Sequence, residues 1–240
     1  MCSPAKARAF AAEGARVVIS DHDIDSARAV AASLPDAIAI GCDVTDEAQV
    51  KALVEQTVAH YGAVHVMVPN AGVTGISPIV DMDFSEWRRV LSVNLDGVFL
   101  SIKHAAPAII AAGGGTIVTI SSITSTAGCG LISHYAASKA AVRSLTQTAA
   151  VELGPLGVRV NALLPGYVGT ALVTDATPEF EAVLEMEPGT LTTVIEEKQG
   201  GRLGLPEEIA AAAVYFASEQ SSFCNGSTLI LDGGFVARHL

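Results

Sequence analysis

The chain has 240 residues, of which 50% are hydrophobic, 16% charged and 5% aromatic, and its formal net charge is −11. So large an apolar share excludes disorder as the main state, and the length suits one domain. An acidic surface repels phosphate backbones and anionic lipid, which excludes nucleic acid and membranes as expected partners.

No apolar run is long enough to cross a bilayer, and the first fifteen residues lack the apolar core of a secretory signal. The cysteines, Cys2, Cys42, Cys129 and Cys224, are far apart. They form no C-x-x-C, and no histidine stands at metal-ligand spacing, so no metal site is expected. Reduced thiols in a cytoplasmic protein are the expectation.

Helical and strand patterns alternate along the chain. A helix over residues 4–13 is followed by a strand over 16–20, a helix over 23–34 and a strand over 37–40. A helix over 47–61 opens at Thr45, read as its N-cap, and precedes a strand over 64–68. One long helix over 84–112 leads to a strand over 116–120, and a helix over 134–153 to a strand over 158–163. A helix over 206–217 begins at Pro206, and a strand over 227–231 follows. Gly14, Gly62 and Gly113 stand where helix C-caps belong. The strands are β-branched and apolar on both faces, as strands covered on both sides are. This order predicts an α/β fold, a doubly wound parallel sheet with helices on both faces, in a single domain over 1–240. Residues 171–201 break the alternation and read as a substrate loop or lid, with a β-like stretch over 190–195.

Tyr135 and Lys139 are four apart on a predicted helix and share a face. An ammonium beside a phenol favours the phenolate, which suits a general acid/base. Alone the pair is also what an ordinary helix carries. Ser122, however, follows the strand over 116–120, with Ser121 beside it. Asn70-Ala71-Gly72 follows the strand over 64–68, and Pro165-Gly166, with Thr170 beyond, follows the strand over 158–163. Asp21 and Asp43-Val44 likewise end strands, and Asn94 sits within the long helix, where asparagine has only modest propensity. Small polar features at strand C-terminal ends are what a ligand laid across that edge requires.

In this order the motifs resemble the short-chain dehydrogenase/reductase family, from about Ala7 to Gly234, including the terminal Asp232-Gly233-Gly234. The resemblance implies a Rossmann-like fold and an oxidoreductase moving a hydride between a nicotinamide cofactor and an alcohol or ketone. It implies Tyr135 as the proton donor or acceptor and Ser122 as a donor to the substrate oxygen. Lys139 would lower the Tyr135 pKa and hold the nicotinamide ribose, and Asn94 would hold a water in a proton relay. Asp21, Asp43, Val44, Asn70, Ala71 and Gly72 would line the adenosine and ribose path. Tyr135, Lys139, Pro165, Gly166 and Thr170 would face the nicotinamide end. Asp21, followed by His22 and not by arginine, favours NAD over NADP. Pairing of the two long helices across a two-fold axis implies a homodimer or homotetramer. Val98, Ile102, Ala106, Ile109, Val142, Leu145, Ala149 and Leu153 supply their apolar surface.

The start departs from the family. Residues 7–14 match the back half of its first helix, but Met1-Cys2-Ser3-Pro4 stands where a T-G-x-x-x-G-x-G turn ends. The first strand and phosphate cradle are therefore expected to be missing. A shortened version of a longer protein, a natural variant with a gap, and a vacancy filled by residues 190–195 are the three explanations. Pro69 replaces a usual asparagine, and His65 a common acidic residue. Two functional alternatives accompany the enzyme: a silent scaffold with little cofactor affinity, and a 3-oxoacyl carrier-protein reductase, which the charge of −11 disfavours.

Overall fold

Six strands and the helices between them carry the alternation, among residues 4–239 described by the computed structural model. Helix α1 (Pro4–Ala12) precedes β1 (Val17–Asp21), α2 (Ile24–Ala31), β2 (Ala37–Gly41) and α3 (Glu47–Tyr61). Next come β3 (Val66–Met67), α4 (Phe84–Leu91), α5 (Gly97–Ala111), β4 (Gly115–Ile120), α6 (Ser133–Leu153) and β5 (Val158–Pro165). Helices α7 (Ala171–Thr174), α8 (Thr177–Val183), α9 (Thr190–Lys198) and α10 (Pro206–Ala217) lead to β6 (Thr228–Leu231). Every strand pair is parallel, because each strand returns through a helix. Val17 sits opposite Ala37, Val66 opposite Thr116, and Gly115 opposite Val158.

One face of the sheet buries Ile117, Val158 and Val160 under Val54 of α3, Ile102 and Ile109 of α5, and Val142 and Ala149 of α6. The other buries Val118 and Leu163 under Ile209, Ala213 and Phe216 of α10, with Phe10 of α1 at its margin. Ile19 packs with Ala27 and Ala31 of α2 and Ala7 of α1 in a smaller cluster. The apolar residues expected at a helix-to-helix interface are instead largely core: Val98, Ile102, Ala106, Ile109, Val142 and Ala149 are all buried within the chain. They face the sheet, and Phe99 and Val151 are the large apolar residues that α5 and α6 leave exposed.

The strands form two sheets, β1-β2 and β3-β4-β5-β6. Among the described residues no strand joins β1 to β3. A cavity of about 840 Å³ lies there, lined by all of β1, by residues 63–70, and by side chains of α1, α3 and α5. Residues 190–195 do not fill it. They belong to α9, a helix where a β-like stretch was expected. Gly189, with φ of 86°, turns the chain into that helix, and burial of Ile195 outweighs the strand preference of its β-branched residues. Met1, Cys2 and Ser3, which carry the departure from the glycine turn, lie outside the described residues.

Two further expectations are corrected. The cap of α3 is Asp46, whose carboxylate accepts the amides of Ala48 and Gln49, while the Thr45 hydroxyl turns to Asp43. The helix read over 84–112 is interrupted by a π turn, Ser92–Asp96, between α4 and α5.

Candidate active site

The π turn sets the site's geometry by turning Asn94 inward, completely buried. Its Oδ1 accepts the Val73 amide at 2.8 Å, and its Nδ2 donates to the Val73 carbonyl at 2.9 Å and the Ser138 hydroxyl at 3.1 Å. One side chain thus ties the loop after β3 to α6. The Ser138 hydroxyl in turn donates to the Tyr135 carbonyl at 2.7 Å.

Helix α6 carries Tyr135 and Lys139, and Lys139 Nζ stands 5.5 Å from the Tyr135 ring centre. The ammonium is buried and donates to the Ile120 carbonyl at 3.0 Å, at the end of β4. Burial, with Lys6 nearby as a second cation, lowers its pKa to about 8. Ser121 donates to the Lys139 carbonyl at 2.7 Å, fixing the helix against the strand end. Ser122, buried and extended, accepts the Thr124 amide at 3.2 Å. Burial pushes the Tyr135 phenol up, and the Ser122 hydroxyl beside it pulls the other way. In this state burial outweighs the lowering expected from Lys139.

The residues expected along the adenosine path line the cavity beside β1: Asp21, Asp43, Val44, Asn70, Ala71 and Gly72. Asp21 ends β1 buried, accepting the Asp23 amide at 3.1 Å with His22 Nδ1 2.9 Å away. Burial raises its carboxyl, but the Asp23 amide and His22 are among the partners that hold it below the ordinary range. Asp43 accepts both the Thr45 amide and hydroxyl through one oxygen. A Cβ on Gly97 would stand 2.8 Å from Val44, so glycine lets α5 approach that loop. A Cβ on Gly72 would stand 3.6 Å from both Asn94 Oδ1 and Lys139 Nζ.

Pro165, Gly166 and Thr170 do not line this cavity. Gly166 donates to the Leu231 carbonyl at 2.9 Å, and a Cβ there would stand 2.6 Å from Gln199 Oε1 and 2.9 Å from Asp232. Thr170 opens the segment of α7, α8 and α9.

Three further residues stand beside the site. Lys6 donates to Asn70 Oδ1 at 2.8 Å, and burial lowers its pKa to about 8. Tyr167 lies near Tyr135 with its hydroxyl 4.0 Å from Cys129 Sγ, and burial together with Cys129 pushes its phenol up. An aromatic residue directly after Pro165-Gly166 was the available signal. His134, wholly buried beside Tyr135, stands 3.7 Å from Glu86, and burial lowers its pKa. Among the described residues no group of three or more metal-ligating side chains comes together, and no helix is long and apolar enough to cross a membrane.

The donor set fits a nicotinamide cofactor's ribose ends. An ammonium has three hydrogens, and the Lys139 carbonyl partner takes one, leaving donors for ligand hydroxyls beside the glycine-lined loop at Gly72. At the pyrophosphate end, residues 4–13 contain no glycine.

Comparison with known proteins identifies the family. Residues 3–236 match the family described as Enoyl-(Acyl carrier protein) reductase. A 3-alpha-(or 20-beta)-hydroxysteroid dehydrogenase of Mycobacterium tuberculosis is 42% identical, over 96% of this chain and 83% of the relative. A cis-4-hydroxycyclohexanecarboxylate dehydrogenase of Sinomonas cyclohexanicum is 40% identical over 97% of this chain and 91% of its own length. Among solved structures, a short-chain type dehydrogenase/reductase from Mycobacterium marinum superposes with a TM-score of 0.86 at 36% identity, covering 97% of this chain and 90% of that one. A gluconate 5-dehydrogenase from Burkholderia cenocepacia, solved with NADP and tartrate, gives a TM-score of 0.86 at 32% identity with the same coverage. Fold, motif order and relatives agree: the chain belongs to the short-chain dehydrogenase/reductase family.

Proposed function

We propose that the protein is an oxidoreductase that moves a hydride between NAD(H) and a secondary alcohol or its ketone, with Tyr135 as general acid/base. The observation behind this reading is the meeting of Ser122, Tyr135 and Lys139 at the end of β4, braced by Asn94. Bound nicotinamide supplies or takes the hydride. In reduction, the Tyr135 phenol, kept protonated by burial, donates its proton to the substrate oxygen while Ser122 hydrogen-bonds the same atom. In oxidation, Tyr135 takes the alcohol proton, and the Lys139 charge favours the phenolate that this needs. Lys139 would also hold the nicotinamide ribose, with Asn70, Ala71 and Gly72 on the path between the two ends. Asp43 and Val44 would flank the adenine, Asp21 its ribose, and Pro165, Gly166 and Thr170 the carboxamide end.

Cyclic secondary alcohols are the substrate class we infer. The relatives include the hydroxysteroid and hydroxycyclohexane carboxylate dehydrogenases above and a cyclohexanol dehydrogenase of an Acinetobacter species. The silent-scaffold reading has less support, because these relatives are named as enzymes. We further infer a homodimer or homotetramer in the cytoplasm, assembled through Phe99 and Val151, which are 48% and 77% exposed. The interval between β1 and β3 we take as the position of the strand that opens other family members. The test is NADH formation from NAD with cyclohexanol and with a 3- or 20-hydroxysteroid. Turnover that Tyr135→Phe abolishes supports the reading, and absence of turnover with either alcohol, or turnover untouched by Tyr135→Phe, refutes it.

A further inference from the structure

We infer that Gln199 is a positioning residue: a side-chain latch that shuts the base of the segment over residues 171–201 and so sets how that segment meets the substrate. The segment starts a few residues after Tyr167 and ends at Gln199 and two glycines, and one side chain joins its two ends. Gln199 Oε1 accepts the Tyr167 amide at 2.7 Å, and its Nε2 donates to the Tyr167 carbonyl at 2.6 Å. A single primary amide thus pairs both main-chain groups of a residue 32 positions away. The Tyr167 carbonyl also accepts the Gly204 amide at 2.9 Å, but among the described residues the Tyr167 amide has Gln199 alone. Gln199 is 5% exposed, and a hydrogen bond lost in such a place is costly. The surroundings are cut to fit it. A Cβ on Gly166 would stand 2.6 Å from Gln199 Oε1, and one on Gly233 would run into the Gln199 carbonyl.

The segment that this latch closes is a body of its own. Thr177 Oγ1 donates to the Val173 carbonyl at 2.8 Å and joins α8 to α7, and Glu181 Oε1 accepts the Leu191 amide at 2.9 Å and joins α8 to α9. These three helices pack chiefly on one another. A body bound within itself and attached at a narrow base turns on that base, so what fixes the base fixes the whole. Gly200 and Gly201, with φ of 79° and 91°, are the compliant side of the hinge, and Gln199 is the side that locks. The same pair of bonds holds Tyr167. With its main chain fixed by Gln199 and its ring 5.4 Å from that of Phe235, its hydroxyl is kept beside Cys129, near Tyr135. A lid closed for only part of the time weakens apparent substrate binding by that fraction, while saturating substrate restores the closed form. Gln199 therefore acts on KM more than on kcat. The effect on substrate rests on the oxidoreductase reading, whereas the latch itself does not.

The experiment compares the full chain with Gln199→Ala and Gln199→Glu. When protonated, the carboxylic acid of the second variant offers one acceptor and one donor, as the amide does; when ionised, it turns an acceptor toward the Tyr167 carbonyl. Burial raises such a carboxyl above its ordinary value of about 4.3. The charged groups on the adjoining turns are already committed: Asp232 accepts the Gly234 and Val236 amides, and Arg202 pairs with Glu208. Amide hydrogen exchange is followed without cofactor or substrate, each variant against the unaltered chain at the same pH. Gln199→Ala should speed exchange over residues 171–198 on the order of tenfold, with β4 and β5 unchanged. Gln199→Glu should do the same at pH ~8 and return to within about twofold at pH ~5. In oxidation of cyclohexanol by NAD at pH ~8, both variants should raise KM for the alcohol about tenfold and leave kcat within about threefold. Exchange that Gln199→Ala leaves unchanged, or Gln199→Glu exchange that does not recover in acid, would overturn the latch whether or not the chain turns over. Faster exchange with an unmoved KM would overturn its part in substrate binding. Absence of turnover in the unaltered chain would count against the oxidoreductase reading instead, with exchange still deciding the latch.

Discussion

Asn94 and Val73 are joined at two points, with the side-chain amide of one matching the main-chain amide and carbonyl of the other at 2.8 and 2.9 Å. This is the pairing a neighbouring strand would supply, made here by a side chain that the π turn directs inward. Asn94→Ala should strand those groups and cost about 3 kcal/mol, lowering the thermal midpoint by roughly 6–12 °C. A fall below about 2 °C would show that the loop finds other partners.

Tyr135→Phe should lower kcat by on the order of 10² or more while leaving the fold intact, since it removes only the proton carrier. Lys139→Ala should move the activity profile for alcohol oxidation to higher pH, because the phenolate loses its cation. In the intact enzyme that cation is itself lost as pH rises through about 8. PH–rate profiles of the three proteins separate the roles, and identical profiles would exclude both.

Lys6 and Lys139 make stability depend on pH in an uncommon direction. Each pKa falls from 10.5 to about 8 on burial. Between those values the unfolded chain holds more protons than the folded one, so each lysine's contribution to stability rises with pH through that window. Below about 8 both are charged in both states and the burial penalty is fully present. Lys6→Met should therefore raise the thermal midpoint at pH ~7 more than at pH ~10. Equal shifts at the two values would show that the ammonium is not desolvated.

Asp21 should select the cofactor. Its buried carboxylate ends β1, and a 2′-phosphate brought there would be repelled. NADH should bind more tightly than NADPH. Asp21→Asn should narrow the difference. Quenching of the single tryptophan, Trp87, gives both dissociation constants, and a preference for NADPH in the unaltered chain would reverse the assignment.

The parallel architecture was legible because buried strands and amphipathic helices carry different periods, and α3 and α10 fall where the pattern placed them. The π turn was not, because the apolar periodicity of 84–112 runs on through Ser92–Asp96 and the extra residue is set by what Asn94 reaches across space. Helix α9 was misread because Thr190, Thr192, Thr193, Val194 and Ile195 favour strands locally, whereas tertiary burial decides. Lys6 and Tyr167 could not be assigned from spacing, since their partners Asn70 and Cys129 lie 64 and 38 residues away. The interface residues were misplaced because periodicity cannot tell a helix face packed on its own sheet from one packed on a neighbour.

The division of the sheet also bears on how the molecule comes apart. Strands β1 and β2 with α2 share a small core to which α1 adds Ala7, and among the described residues no ladder ties them to the other four strands. Such a block is a candidate cooperative unit able to open by itself. Heating should then melt it first, so that the calorimetric enthalpy exceeds the van 't Hoff value, and limited proteolysis should cut near α2 while β4 and β5 remain folded. The adenosine half of the cleft, anchored on Asp21 and Asp43, would vanish before the catalytic half at Tyr135 and Lys139, and cofactor affinity would fail at temperatures where the proton-transfer residues are still in place.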